Sequence, residues 1–182
     1  MTIELRRVTA DDWEAWRAVR LAALAEAPTA FGSTHADWAE APEHRWRTRL
    51  SIPGALDLVA YEDGARPVGL ATGVPNPDGP DPDGRDHAEL ISMWVDPAAR
   101  GRGIARSLIT AIADWAAASG ASALELSVMP DNAHARRTYE RAGFTVADTL
   151  GDALPDGRHE VVMRRDLTPG RTADVPQEAG RP

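Results

Sequence analysis

The chain has 182 residues, 43% apolar and 26% charged, the size and balance of one globular domain with a sizeable core. It has no cysteine, which excludes a thiolate nucleophile, a disulfide framework and cysteine-ligated zinc. The formal net charge of −8 disfavours nucleic acid and favours cationic small molecules, unless it serves only solubility. The segment 167–182 is not its source, because Arg171 and Arg181 cancel Asp174 and Glu178. No apolar run reaches membrane-spanning length, and the acidic residues of MTIELRRVTADD stand where a signal peptide needs its apolar core. A cytoplasmic protein without a membrane partner is therefore expected.

Ile3 to Val8 alternates apolar with polar and reads as a half-buried strand. Thr9-Ala10-Asp11-Asp12 starts a helix, with Trp13, Trp16, Val19, Arg20, Leu21 and Leu24 at helical spacing until Pro28. After a link at Thr29 to Ser33, a second Trp-rich helical stretch runs from Ala36 to Leu50. Leu56 to Glu62 and Pro67 to Val74 are strands around an Asp63-Gly64 turn. Residues 75–86 form a Pro/Gly/Asp-rich loop whose Asp78, Asp81, Asp83 and Asp86 lack the spacing of a calcium site, so a surface insertion is expected. Leu90 to Val95 is a buried strand closed by Asp96-Pro97.

A helix then runs from Gly103 to about Ser119-Gly120, with Ile104, Leu108, Ile112 and Trp115 on one face. Ala123 to Val128 is a strand, and Pro130-Asp131-Asn132 caps a helix that continues through Ala142 to Gly143. Phe144 to Ala147 and His159 to Arg164 are two final strands joined by a polar loop. Thr168 to Pro182 has no apolar periodicity and is expected to be disordered, leaving one domain over residues 1–167. The order predicts an α/β (α+β) mixed sheet with helices on its faces. Its parallel crossover around the 103–119 helix supplies a ligand crevice at the strand C-terminal ends.

Two groups of residues carry chemistry. Arg100-Gly101-Arg102-Gly103-Ile104-Ala105 joins a strand to a helix start, where unpaired backbone N–H groups and the positive end of the helix dipole favour an anion. A P-loop needs a Lys and a Ser or Thr that are missing here, and a dinucleotide fingerprint needs glycine where Arg106 stands. A glycine-rich turn that only joins two elements remains open. Asn132, Ala135 and Tyr139 are spaced to share one helix face, though a capping Asn and a core Tyr have the same spacing. His35, His44 and His87 show no metal-ligand spacing, and His134 fits either a phosphate contact or an exposed surface position.

Arg100 to Ala105 after Val95-Asp96-Pro97, with PDNAHARRTYERAGF about 30 residues on, resembles the GNAT superfamily of acetyl-CoA-dependent N-acetyltransferases. The two motifs cover roughly residues 88–145, and the order of elements extends the likeness more weakly over the domain. The resemblance implies a GNAT-like acyl-CoA N-acyltransferase fold, acetyl-CoA as donor cosubstrate and no metal. Carried over by position, Arg100, Gly101, Arg102, Gly103, Ile104, Ala105 and Arg106 hold the pyrophosphate. The cofactor arm runs beside Met93, Trp94 and Val95, and a free N–H of Met93 or Val95 polarises the acetyl carbonyl. Asn132 contacts the arm, and Tyr139 protonates the departing thiolate.

Some family members place an amine-deprotonating glutamate where Glu89 stands, and even spacing puts Glu89 on the sheet face of Ile91, Met93 and Val95. A solvated strand-start carboxylate is the alternative. Phe31, Gly32, Ser33 and Trp38 fall where the family builds its acceptor wall, although Trp38 and Trp46 also suit a helix core. The expected activity is acetyl transfer to a small-molecule amine by direct attack, with a homodimer open. A protein N-terminus or lysine as acceptor, or a catalytically idle CoA-binding regulatory domain, are the alternatives.

Overall fold

The alternating run at the start of the chain forms β1 (Ile3–Val8), paired antiparallel with β2 (Leu56–Glu62). The structure, a computed structural model, describes residues 2–76 and 86–167. The interior of the expected surface insertion and the expected disordered tail lie outside those residues. After β1, the Thr9 hydroxyl accepts from Asp11 N–H at 3.3 Å and the Asp12 carboxylate accepts from Thr9 N–H at 2.8 Å. This capping box starts a short 3₁₀ turn that leads into α1 (Trp13–Glu26).

The second helical stretch is two helices, α2 (His35–Ala39) and α3 (Glu43–Arg49). Pro42 separates them, because proline disfavours helical backbone in the residue before it and has no N–H to continue a helix. Trp38 and Trp46 still meet across the break, with ring centroids 4.6 Å apart.

The remaining strands are β3 (Arg66–Pro75), β4 (His87–Val95), β5 (Ala123–Val128), β6 (Thr145–Ala153) and β7 (His159–Asp166). They complete a seven-stranded mixed sheet in the order β1-β2-β3-β4-β5-β7-β6. Neighbours are antiparallel except β4 and β5, which are parallel and joined through α4 (Ile104–Ala118). The last helix, α5 (Ala133–Arg141), follows β5. No helix among the described residues is long and apolar enough to cross a membrane.

One core lies under α4, where Ile104, Leu108 and Ile112 meet Leu58, Val68, Leu90 and Leu124. A second core joins Trp16 and Val19 of α1 and Trp46 of α3 to Val59, Leu70 and Trp94. The helix α4 seats against β3 because Gly73 has no side chain. A Cβ there would stand 2.5 Å from the Trp115 ring.

Three further expectations change. β4 begins at His87 rather than Leu90, and β6 continues to Ala153 rather than stopping near Ala147. Register shifts on both sides of Leu150 break the alternation that marks a strand in sequence. The third change affects β4 itself. Its pairing passes from Thr72–Ile91 to Leu70–Trp94, three steps on β4 against two on β3, and Ser92 within that interval has φ 56°. This bulge reverses the faces. Leu90 and Val95 both pack in the α4 core while Trp94 packs in the other. Glu89 and Ile91 therefore face away from α4, and they do not share a face with Met93 and Val95.

Candidate active site

β4 and β5 are paired only over His87–Glu89 and Ala123–Glu125, yet β4 continues to Val95 and β5 to Val128. Beyond Glu89 no strand pairs with the β5-side edge of β4 among the described residues, and a cavity of about 600 Å³ opens there. Its strand walls are residues 89–93 of β4 and 125–128 of β5, with α1, the link before α2, α2, α3, α5 and β6–β7 enclosing the rest.

Eight of the residues expected at a site line this one cavity: Phe31, Gly32, Ser33, Trp38, Glu89, Met93, Asn132 and Tyr139. Asn132 caps α5, its side-chain oxygen accepting from Ala135 N–H at 3.1 Å. The capping role is thus real, and it occupies the Oδ1 atom. Tyr139 is 9% exposed and packs edge-on against Phe144, with centroids 5.9 Å apart. Its hydroxyl makes no hydrogen bond among the described residues, and burial pushes its pKa up to about 12.

Trp94 and Val95 do not line the cavity. Trp94 donates from Nε1 to the Glu26 carboxylate at 2.9 Å, and the Val95 carbonyl accepts from Arg100 Nε at 3.0 Å. Residues 100–106 stand at the C-terminal end of β4 and the start of α4. Gly101 and Gly103 have φ of 78° and 80°, left-handed backbone that glycine adopts without strain. Ile104, Ala105 and Arg106 are the first helical residues, so their N–H groups have no acceptor within the helix.

The two arginines of this loop are committed elsewhere. Arg100 pairs with Glu26 at 3.0 Å, and Arg102 pairs with Glu62 and donates to the Ala98 carbonyl. Glu62 also pairs with Arg66, which pairs with Asp96. The side chains brace the loop, and the backbone amides at the start of α4 are left without acceptors within the helix.

The sequence reading missed the charged residues of the cavity: Arg20, Arg49, Glu125, Asp152 and Glu160. Arg49 donates to the Asp57 carboxylate at 3.2 Å, the Thr72 hydroxyl at 3.0 Å and the Ser92 hydroxyl at 3.3 Å. Burial lifts the Asp57 pKa, opposed by the Thr72 hydroxyl and Arg49. The Glu125 carboxylate accepts from Arg164 at 2.6 Å. Burial, with the charge of Asp152, also raises the Glu160 pKa. Arg20 had one visible signal, a cation set among the apolar helical positions of α1. The residues it meets come from other elements, which spacing cannot show. No cluster of metal-ligating side chains occurs among the described residues.

This arrangement accommodates a long ligand with a phosphorylated end. Backbone amides at the α4 start suit the anion, and the gap between β4 and β5 offers strand edge to an amide-bearing arm. The Tyr139 side chain lines the cavity.

The Acetyltransferase (GNAT) family model matches residues 12–144. The L-2,4-diaminobutyric acid acetyltransferase of Streptomyces coelicolor is 36% identical over 117 residues, 58% of this chain and 64% of that protein. A ribosomal protein bS18-alanine N-acetyltransferase of Haemophilus ducreyi is 35% identical over 77 residues, 41% of this chain and 53% of that protein. The matched segments thus span less than two thirds of either curated relative. The structure of PaiA N-acetyltransferase from Thermoplasma acidophilum in complex with coenzyme A aligns with a TM-score of 0.69 at 18% identity. It covers 91% of this chain and 99% of that one.

Proposed function

This chain belongs to the Acetyltransferase (GNAT) family, and from that premise we propose that it transfers an acetyl group from acetyl-CoA to the primary amine of a small molecule. The observation that carries the reading is the parted β4–β5 pair, which opens a cavity lined by Tyr139, Asn132 and Glu89. The diaminobutyrate relative supports a small amine as acceptor, and the coenzyme A complex of the structural neighbour supports the donor.

Acetyl-CoA, when bound, supplies an acetyl group activated as a thioester for direct attack by the amine. The backbone N–H groups of residues 101–106 bind its pyrophosphate, with Arg100 and Arg102 holding the loop in shape. The open edge of β4 beyond Glu89 and the Asn132 amide hold the arm. An N–H on that edge polarises the acetyl carbonyl as charge grows on its oxygen. Glu89 takes a proton from the acceptor ammonium through water, so that the amine attacks with a free lone pair. As the carbon–sulfur bond breaks, Tyr139 gives its proton to the sulfur. The attacking nitrogen, now bonded to the acetyl carbon, loses its second proton through water to the Tyr139 phenolate, so the amide and the CoA thiol leave and the proton on Glu89 passes to solvent.

The test is mass detection of acetyl transfer by the full chain to a panel of small amines and to peptides with free N-termini. Acetylated small amines support the reading. Transfer to peptides alone moves the acceptor to protein, and acetyl-CoA binding with no transfer to any member leaves a CoA-binding module.

A further inference from the structure

Arg20 carries a charge in this cavity that no carboxylate among the described residues balances. It projects from α1 one turn after Trp16, with its guanidinium over the Phe31 ring at 4.4 Å. Its Nη1 atom is buried and makes no hydrogen bond. Among the described residues no carboxylate reaches ion-pairing distance of it. Arg49, beside it on the same wall, is by contrast satisfied by Asp57, Thr72 and Ser92.

A half-buried cation whose Nη1 is sealed from water without an acceptor costs stability, and natural interiors pair such groups. Here burial, with Arg49 secondarily, lowers the Arg20 pKa to about 10, so the group stays charged at neutral pH. Carboxylates line the same cavity. Glu89, Asp152 and Glu160 line the cavity from β4, β6 and β7. The cavity is therefore cationic at its helical wall and anionic at its strand wall.

We infer that the acceptor is an amino-carboxylate, such as an amino acid, with its carboxylate on Arg20 and its free amine toward the strand carboxylates. This inference rests on the acetyltransferase reading of the same cavity. The planar guanidinium matches a carboxylate, and the Phe31 ring beneath it fixes its plane before the ligand arrives. The buried Nη1 then gains the acceptor it lacks.

The experiment uses the full chain and matched pairs of compounds, each an amino acid and its carboxamide, across the standard and the α,ω-diamino acids. Each compound is measured by calorimetric binding to CoA-saturated protein and by thiol release from acetyl-CoA. The acid of an accepted pair should bind at least about tenfold more tightly than its amide, the scale of one charged hydrogen-bonded contact. Arg20→Gln should weaken the acid to the level of the amide and leave the amide and CoA unchanged. Arg20→Lys should keep part of the preference. Because no carboxylate among the described residues pairs with Arg20, Arg20→Gln should lower the melting temperature by no more than the loss of its Phe31 contact.

Equal binding of acid and amide by the wild type overturns the inference, as does failure to bind any acid, and neither outcome depends on a variant folding. Equal weakening of both compounds by Arg20→Gln also overturns it, since that is the mark of a structural residue. Carboxylate-selective binding without thiol release keeps the anion site and removes acetyl transfer. Thiol release that is indifferent to the carboxylate does the reverse.

Discussion

At the residue scale, Tyr139 is the side chain with the most distinct state. Its phenol is buried, its pKa is raised to about 12, and its hydroxyl has no partner among the described residues. A proton that stays on at neutral pH can be given to a thiolate. Tyr139→Phe keeps the packing against Phe144 but removes that proton. It should lower kcat by roughly 10²-fold, the low end for general acid catalysis, with the acetyl-CoA dissociation constant unchanged. Steady-state kinetics beside calorimetry measures both, and an unaltered kcat assigns Tyr139 to packing alone. The raised pKa also predicts an alkaline signature. The unfolded phenol ionises near pH 10 while the folded one holds its proton to about 12. Between those values the unfolded state binds fewer protons, so stability falls as pH rises. The chain has no lysine and only two tyrosines, so few groups share this window. In urea unfolding, the stability of wild type relative to Tyr139→Phe should stay constant up to about pH 9 and decline above about pH 10. Asn132 and Tyr139 were legible in the sequence because one helix sets their relation. Arg20 was not, because its cavity needs Phe31, Arg49 and three strands that lie far along the chain.

At the element scale, the decisive contact is α4 against β3. Gly69 and Gly73 present bare backbone to the helix, and a Cβ on Gly73 would meet Trp115 at 2.5 Å and Ile112 at 2.9 Å. Gly73→Ala should therefore cost about 1–3 kcal/mol through overpacking. That is a fall in melting temperature of several degrees for a chain of this length, measured by calorimetry. An unchanged melting temperature would mean that Trp115, which is only partly buried, swings aside without cost. The α4 face itself was legible, since Ile104, Leu108 and Ile112 repeat at helical spacing and all three are buried. The parallel crossover followed from the strand–helix–strand order. What stayed hidden were interruptions of period. The Ser92 bulge reverses the faces of β4 within one residue, and the shifts around Leu150 conceal half of β6. Pro42 was visible, but the tryptophans on either side of it read as one apolar face. Such features depend on the neighbouring strand or helix, and local periodicity has no access to that neighbour.

At the scale of the whole molecule, the sheet is two units, β1–β4 and β5–β7–β6, joined along the sheet by three residue pairs of parallel ladder and packed together under α4. A ligand that enters the parted ladder supplies contacts to both units at once. Whatever binds the folded chain and not the unfolded one stabilises it by about 2.7 kcal/mol at one hundred times its dissociation constant. Acetyl-CoA at that concentration should raise the melting temperature by roughly 5–10 °C. In hydrogen exchange the slowed amides should fall on both sides of the gap, in β4 beyond Glu89 and in β5 between Glu125 and Val128. The proposed pyrophosphate loop can be tested separately. Gly103 has φ of 80° and no heavy atom within 4 Å of a Cβ placed on it, and Gly120, at the other end of α4, has φ of 93° and the same open space. Glutamate at either position strains left-handed backbone by about 1–2 kcal/mol, so both variants should melt a few degrees below wild type. Only Gly103→Glu sets a carboxylate beside the amides of residues 101–106, where it repels a pyrophosphate. That variant should lose the acetyl-CoA shift and the exchange protection across the gap, while Gly120→Glu keeps both. A full shift in Gly103→Glu places the phosphates elsewhere. A shift with protection confined to β1–β4 shows a ligand that does not bridge the two units.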